Sequence, residues 1–99
     1  MNSELKKRYE ARAEILKAMA HASRLCVLDE LAKGERCVCE LTDLIGADTS
    51  TVSRHLSVLR NAGLVVSDKR GNQVFYKLKC SCIDPFFNCI ESVIKENSE

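Results

Sequence analysis

The chain is poor in the features that mark most other functions. One proline, Pro85, and an absence of repeats or Pro/Ser-rich runs leave no linker, so 99 residues suit one compact domain rather than two. No apolar run approaches the length of a membrane span. The opening MNSELKKRYEARAEIL alternates charge with apolar residues where a signal peptide needs an unbroken apolar core. The expected location is therefore cytoplasmic, with no membrane partner. No Cys-x-x-Cys pair of the low-pKa kind is present to support oxidoreductase chemistry, and no catalytic constellation of any other kind is visible, so the chain reads as a non-enzyme without an organic cofactor.

What the sequence does have is six cysteines and an uneven charge. Six cysteines in a short secreted chain would imply a disulfide framework, but in the cytosol thiols stay reduced, and such clusters bind metals or sense oxidants. Residues 1–48 carry eight Lys/Arg against nine Asp/Glu, residues 49–79 six against one, and residues 80–99 one against four. The small net charge of +1 thus hides a basic block between neutral and acidic flanks, the footprint expected of a nucleic-acid contact surface.

Five helices and a hairpin follow from hydrophobic period and stop signals. Leu5, Tyr9, Leu16 and Met19 space a helix over roughly Ser3–Met19. A second runs Ala22–Ala32, with Leu25, Leu28 and Ala32 inward and Gly34 beyond its end; Cys26 reads as core filler within it. A third, short helix buries Val38, Leu41 and Ile45 and stops at Gly46. Asp48 or Thr49 caps a fourth, STVSRHLSVLRNAG, whose Val52, Leu56 and Leu59 recur at i, i+4 and i+7. Opposite them Ser50, Ser53, Arg54, Ser57 and Asn61 form a polar stripe suited to a groove. Leu64 and Val66, then Val74, Tyr76 and Leu78, alternate about Gly71 as a two-stranded hairpin with a basic tip. Asp84 and Pro85 open a last helix whose Phe86, Ile90, Val93 and Ile94 face nothing obvious in the chain, which implies a partner.

Helix, turn, helix with a polar outer face, then a basic hairpin, is the layout of a mainly α winged helix-turn-helix, whose second helix enters the major groove. From about residue 15 to 79 the chain resembles the ArsR/SmtB metalloregulatory repressors. The resemblance is carried by ERCVCEL, by STVSRHLSVLRNAGLV and by a Gly-x-x-x-x-Tyr wing ending in Gly71 and Tyr76. It implies a homodimer of winged helices paired through residues 1–19 and 84–97, with a helix-turn-helix over 37–63 and a wing over 64–79. Such a dimer binds a twofold double-stranded operator and leaves it when a toxic metal or metalloid binds. The recognition helix falls on Thr49–Asn61. Thr49, Ser50, Thr51, Ser53, Arg54, His55 and Ser57, with Lys69, Arg70 and Asn72 of the wing, are the expected DNA contacts.

The family's CVC pair falls on Cys37 and Cys39. Two departures stand out: a third cysteine, three residues on in the best-known arsenic repressors, is here Thr42, and the carboxylate and histidine ligands of the family's last-helix site are missing, since His21 and His55 are the only histidines. In a regular helix residues two apart point about 200° apart, so both sulfurs serve one ion only if the first turn opens or a strand-like entry persists. A winged helix pairs the stretch before its third helix with the second wing strand, which would bring RCVC near KCSC. Cys80 and Cys82 are therefore the expected partners, with Cys89 a further candidate. Thiolates without histidine favour soft ions: three suit As(III) or Sb(III), the expected inducers, and four suit Cd(II), Pb(II) or Zn(II). A redox-sensing repressor joined by the same cysteines is the alternative within regulation, and a thiol-rich zinc-binding interaction module the alternative outside it.

Overall fold

The computed structural model describes residues 1–98. Its elements run α1 (Ser3–Met19), α2 (Ala22–Ala32), β1 (Arg36–Cys37), α3 (Val38–Ile45), α4 (Thr49–Asn61), β2 (Val65–Arg70), β3 (Gln73–Leu78) and α5 (Ile83–Asn97). The strands form one antiparallel sheet in the order β1-β3-β2, so the expected hairpin carries a third, two-residue strand on its inner edge. This is a winged helix-turn-helix.

The core sits where α2, α3 and α4 meet the sheet. Leu28, Leu41, Leu56, Leu59 and Val52 are fully buried, and Val27, Leu31, Val65, Tyr76 and Ile83 close around them. Each large side chain so buried contributes roughly 1.5–3 kcal/mol. Local chemistry aims the helices. α3 ends at Gly46, whose φ of 75° lies in the left-handed region that favours glycine. α4 begins behind Asp48, whose carboxylate accepts from the Thr51 backbone N–H. His21 caps α2, Nδ1 accepting from Ser23 N–H at 3.1 Å. Between β2 and β3, Gly71 takes φ 61° at the first position of a two-residue turn, where a type II′ hairpin wants glycine.

Several expectations shift. Cys26 is exposed, not core: α2 turns Val27, Leu28 and Leu31 inward because it packs against both the sheet and α5. In β2 the inward residue is Val65, with Leu64 and Val66 half-buried. The cap of α5 is Cys82, two residues before Asp84, which places Pro85 at the third helical position. As expected, α5 leaves Phe86, Ile90, Val93 and Ile94 exposed, and α1 likewise exposes Leu5, Tyr9, Ile15 and Leu16, large side chains that nothing among the described residues buries.

Candidate sensing site and nucleic-acid interface

The two-residue strand β1 settles how a Cys-x-Cys pair can face one ligand. Cys37 is the last residue of β1 and the N-cap of α3, held extended at φ −79° and ψ 159° by pairing with Phe75 of β3. Only Cys39 lies within the helix. The strand-like entry thus persists to Cys37, and the two sulfurs meet: they are joined as a disulfide, with the Cα atoms 5.3 Å apart. Cys37 is buried and Cys39 exposed. A capping box surrounds the pair, Glu40 N–H donating to Cys37 Sγ at 3.3 Å and Cys37 N–H donating to Glu40 Oε1 at 3.0 Å. Any chemistry at Cys37 sulfur therefore acts on the cap that starts α3.

The surroundings link this pair to the surfaces expected to meet DNA. Cys37, Val38 and Cys39 line a cleft of about 290 Å³ whose other walls are Ser53 of α4 and Asn72, Gln73 and Val74 of the wing. Glu35, two residues before Cys37, accepts a bidentate pair from Arg70 of β2, Nη1 to Oε1 at 2.7 Å and Nη2 to Oε2 at 2.8 Å. Arg70 also donates to Asp68 at 2.9 Å and lies 4.6 Å over the Phe75 ring, the residue paired with Cys37. Hydrogen bonds to Glu35 and Asp68 hold its guanidinium pKa above the ordinary arginine value.

Among the other expected contacts, Thr49, Ser50, Ser53 and Arg54 of α4 are exposed, as are Lys69 and Asn72 of the wing. Ser57 is half-buried. Ser50 and Thr51 are not free: both hydroxyls donate to Asp48, Thr51 at 2.6 Å. These bonds pull the Asp48 carboxyl down to about 2. His55 packs against His21 with the ring centres 4.3 Å apart and the planes tilted by 46°, and is half-buried. Burial first, then His21, Arg24 and Arg54, lower its pKa. Its ring is turned to α2.

The second cysteine pair stands apart. Cys37 pairs with Phe75, not with the strand's end, and Cys80 follows five residues later, on the order of 16 Å along an extended chain. Lys79 N–H still bonds Leu64 carbonyl, so the chain remains extended nearly to Cys80. Cys80 instead borders a groove with Leu31, Ala32, Gly34, Glu35 and Asp84. Within one chain the structure does not bring Cys37 and Cys39 to Cys80 and Cys82, because the β1–β3 register runs the other way from the wing's end. Cys89 is exposed on α5. Among the described residues no three His, Cys, Asp or Glu side chains converge to hold a metal ion.

Residues 21–67 match the model of the family described as bacterial regulatory protein, arsR family. Over 66 residues the chain is 46% identical to the HTH-type transcriptional regulator NmtR of Mycobacterium tuberculosis, a stretch covering 67% of this chain and 55% of that one. The crystal structure of the transcriptional repressor BigR from Xylella fastidiosa superposes with a TM-score of 0.78 at 33% identity, covering 94% of this chain and 96% of that one. The chain belongs to the ArsR family. A homodimeric winged helix-turn-helix DNA-binding domain, Mb0332 from Mycobacterium bovis, solved by NMR, is similar over the whole chain and 92% of its own length, with a TM-score of 0.83 at 28% identity. The matched stretch spans only about half of NmtR. Among the described residues no helix is long and apolar enough to cross a membrane.

Proposed function

We propose that this ArsR-family chain is a homodimeric, DNA-binding transcriptional repressor released from its operator by As(III) or Sb(III) bound at Cys37 and Cys39. The observation that carries the reading is the shared cleft: Cys39 faces Ser53 of the recognition helix and Asn72 of the wing, so a ligand at the pair lies between both DNA-contacting elements. Arg54 reads a base in the major groove, and Lys69 and Asn72 follow phosphates beside it, while Arg70 reaches a phosphate only where Glu35 releases it. Dimer contact runs through α1 and α5, whose exposed Phe86, Ile90, Val93 and Ile94 would otherwise forfeit roughly 1.5–3 kcal/mol each in water.

Once the Cys37–Cys39 disulfide is reduced, its two thiols fit a trivalent metalloid that takes them as two of three ligands. They do not by themselves fit Cd(II), Pb(II) or Zn(II), which suit four. Release follows from linkage: a ligand favouring the free form weakens DNA binding by the same factor. Ligation draws on Cys37 Sγ, the acceptor for Glu40 N–H, and so disturbs the first turn of α3 and, through Glu35 and Arg70, the wing. The Cys37–Cys39 disulfide specifically favours a second reading, in which an oxidant closes the pair and releases DNA without any ion.

A mobility-shift experiment on upstream DNA separates these. Reduced protein is challenged with As(III), Sb(III), Cd(II), Pb(II), Zn(II) and peroxide. Release by As(III) and Sb(III) at the lowest concentrations supports the metalloid reading, release by peroxide alone supports the redox one, and release by neither contradicts both.

A further inference from the structure

The separation of the two cysteine pairs has its own chemical content. Cys80 and Cys82 lie on the turn between the wing and α5, both exposed, with their sulfurs 2.7 Å apart. Sulfurs this near need only part slightly to share one ligand atom, while the β1–β3 register keeps them from Cys37 and Cys39. Cys82 is also the N-cap residue of α5 and makes no side-chain capping bond, so its sulfur is not committed to the helix end as Cys37 sulfur is. On its other side Cys82 borders an almost wholly apolar pocket of about 250 Å³ formed with Ile15, Leu16 and Met19 of α1, Leu64, and Ile83 and Phe86 of α5. The pair thus combines two thiols for a soft electrophile with an apolar wall on one side, and among the described residues no third His, Cys, Asp or Glu side chain converges on them.

We infer that Cys80 and Cys82 form a second, independent dithiol site, which binds a trivalent arsenical separately from Cys37 and Cys39. The inference extends the metalloid reading above by giving each chain two sites rather than one four-cysteine site. The chemistry balances without electron transfer. An arsenoxide, R–As=O, reacts with two thiols; two S–H bonds and the As=O bond break, two As–S bonds form, one water leaves, and arsenic stays trivalent. Cys82 starts α5, so this site lies at the end of the dimer helix, away from α3 and the wing on which the first site acts.

The test is a stoichiometry, read without DNA so that it is independent of whether arsenicals release the operator. Full-length protein is reduced with a phosphine, since dithiol reductants compete for arsenic. It is then titrated with phenylarsine oxide, which needs only two thiols, and weighed intact under non-denaturing conditions. Two arsenicals per chain are expected in the wild type, one after Cys37→Ser with Cys39→Ser, one after Cys80→Ser with Cys82→Ser, and none when all four are replaced. A single arsenical per chain in the wild type, lost in either double variant, would show one shared site and overturn the inference. Two arsenicals persisting after loss of Cys80 and Cys82 would overturn it as well. Circular dichroism of each variant establishes that it remains folded.

Discussion

Replacing Glu35 by Gln should make the protein bind operator more tightly. Arg70 is the wing's candidate for a phosphate contact, yet it is engaged three ways within the chain, by both Glu35 oxygens, by Asp68 and by the Phe75 ring. Exposed pairs of this kind are screened by salt, but a bidentate arginine held by two carboxylates competes directly with a phosphate for the same N–H donors. Glutamine keeps the length of the side chain and removes the charge, leaving Asp68 as the only acidic partner. One additional phosphate contact steepens the dependence of log affinity on log salt by about 0.9. The ratio of variant to wild-type affinity should then fall by roughly 3.5-fold between 50 and 200 mM salt. Fluorescence anisotropy with labelled operator across that range measures it, and the Glu35→Gln, Arg70→Ala double variant should lose the gain. Weaker binding by Glu35→Gln with an unchanged salt slope would refute the competition, and would mean that the pair instead holds the wing in its DNA-binding position.

Other outcomes follow from the same geometry. Arg54→Ala should cost about 1–3 kcal/mol of operator binding and relax sequence preference at one position, which a panel of substituted operators would reveal; full affinity would remove Arg54 from the interface. The Asp48 carboxyl, pulled down to about 2 by Ser50 and Thr51, has its folded pKa below its unfolded value of roughly 3.9. Its contribution is therefore fully present above that unfolded value and is lost as pH falls through about 2, so Asp48→Asn should flatten urea-unfolding stability in that window and change little of its slope above pH 5. Ile90→Glu places a charge in the exposed apolar face of α5 and should halve the sedimenting mass at micromolar concentration. A dimer that persists would move the interface elsewhere.

How far the sequence could be read depended on whether each signal was local. α3 and α4 were legible because Gly46 and Asp48 act on their own backbone neighbours and Val52, Leu56 and Leu59 repeat on one face. The strand-like entry at Cys37 is one of the two arrangements the sequence allows for joining the pair, the other being an opened first turn, since a regular helix would point the two sulfurs about 200° apart. α2 was harder: it packs on two sides, so a one-face pattern placed Cys26 inside when Val27 and Leu31 occupy that space. In the wing, alternation showed a strand, but a one-residue ambiguity of phase exchanged Val65 with its neighbours. The Glu35–Arg70 pair joins residues 35 apart and left no trace in either segment. The distance between the cysteine pairs was equally hidden, because pairing of β1 with β3 was predictable while its register at Phe75 was not.

The central claim is that Cys37 and Cys39 govern release from DNA and not binding to it. Anisotropy titrations of reduced wild type, Cys37→Ser and Cys39→Ser on the same operator, with and without arsenite, test it most directly. Serine fits the space of cysteine and retains an acceptor for Glu40 N–H, so operator affinity without arsenite should stay within about tenfold of wild type, since one neutral hydrogen bond is worth roughly 0.5–1.5 kcal/mol. Arsenite should weaken wild-type binding by about 5- to 150-fold, the usual range of such couplings, and leave both variants unaffected. Release of either variant by arsenite at the wild-type concentration would contradict the account and place the sensing thiols elsewhere.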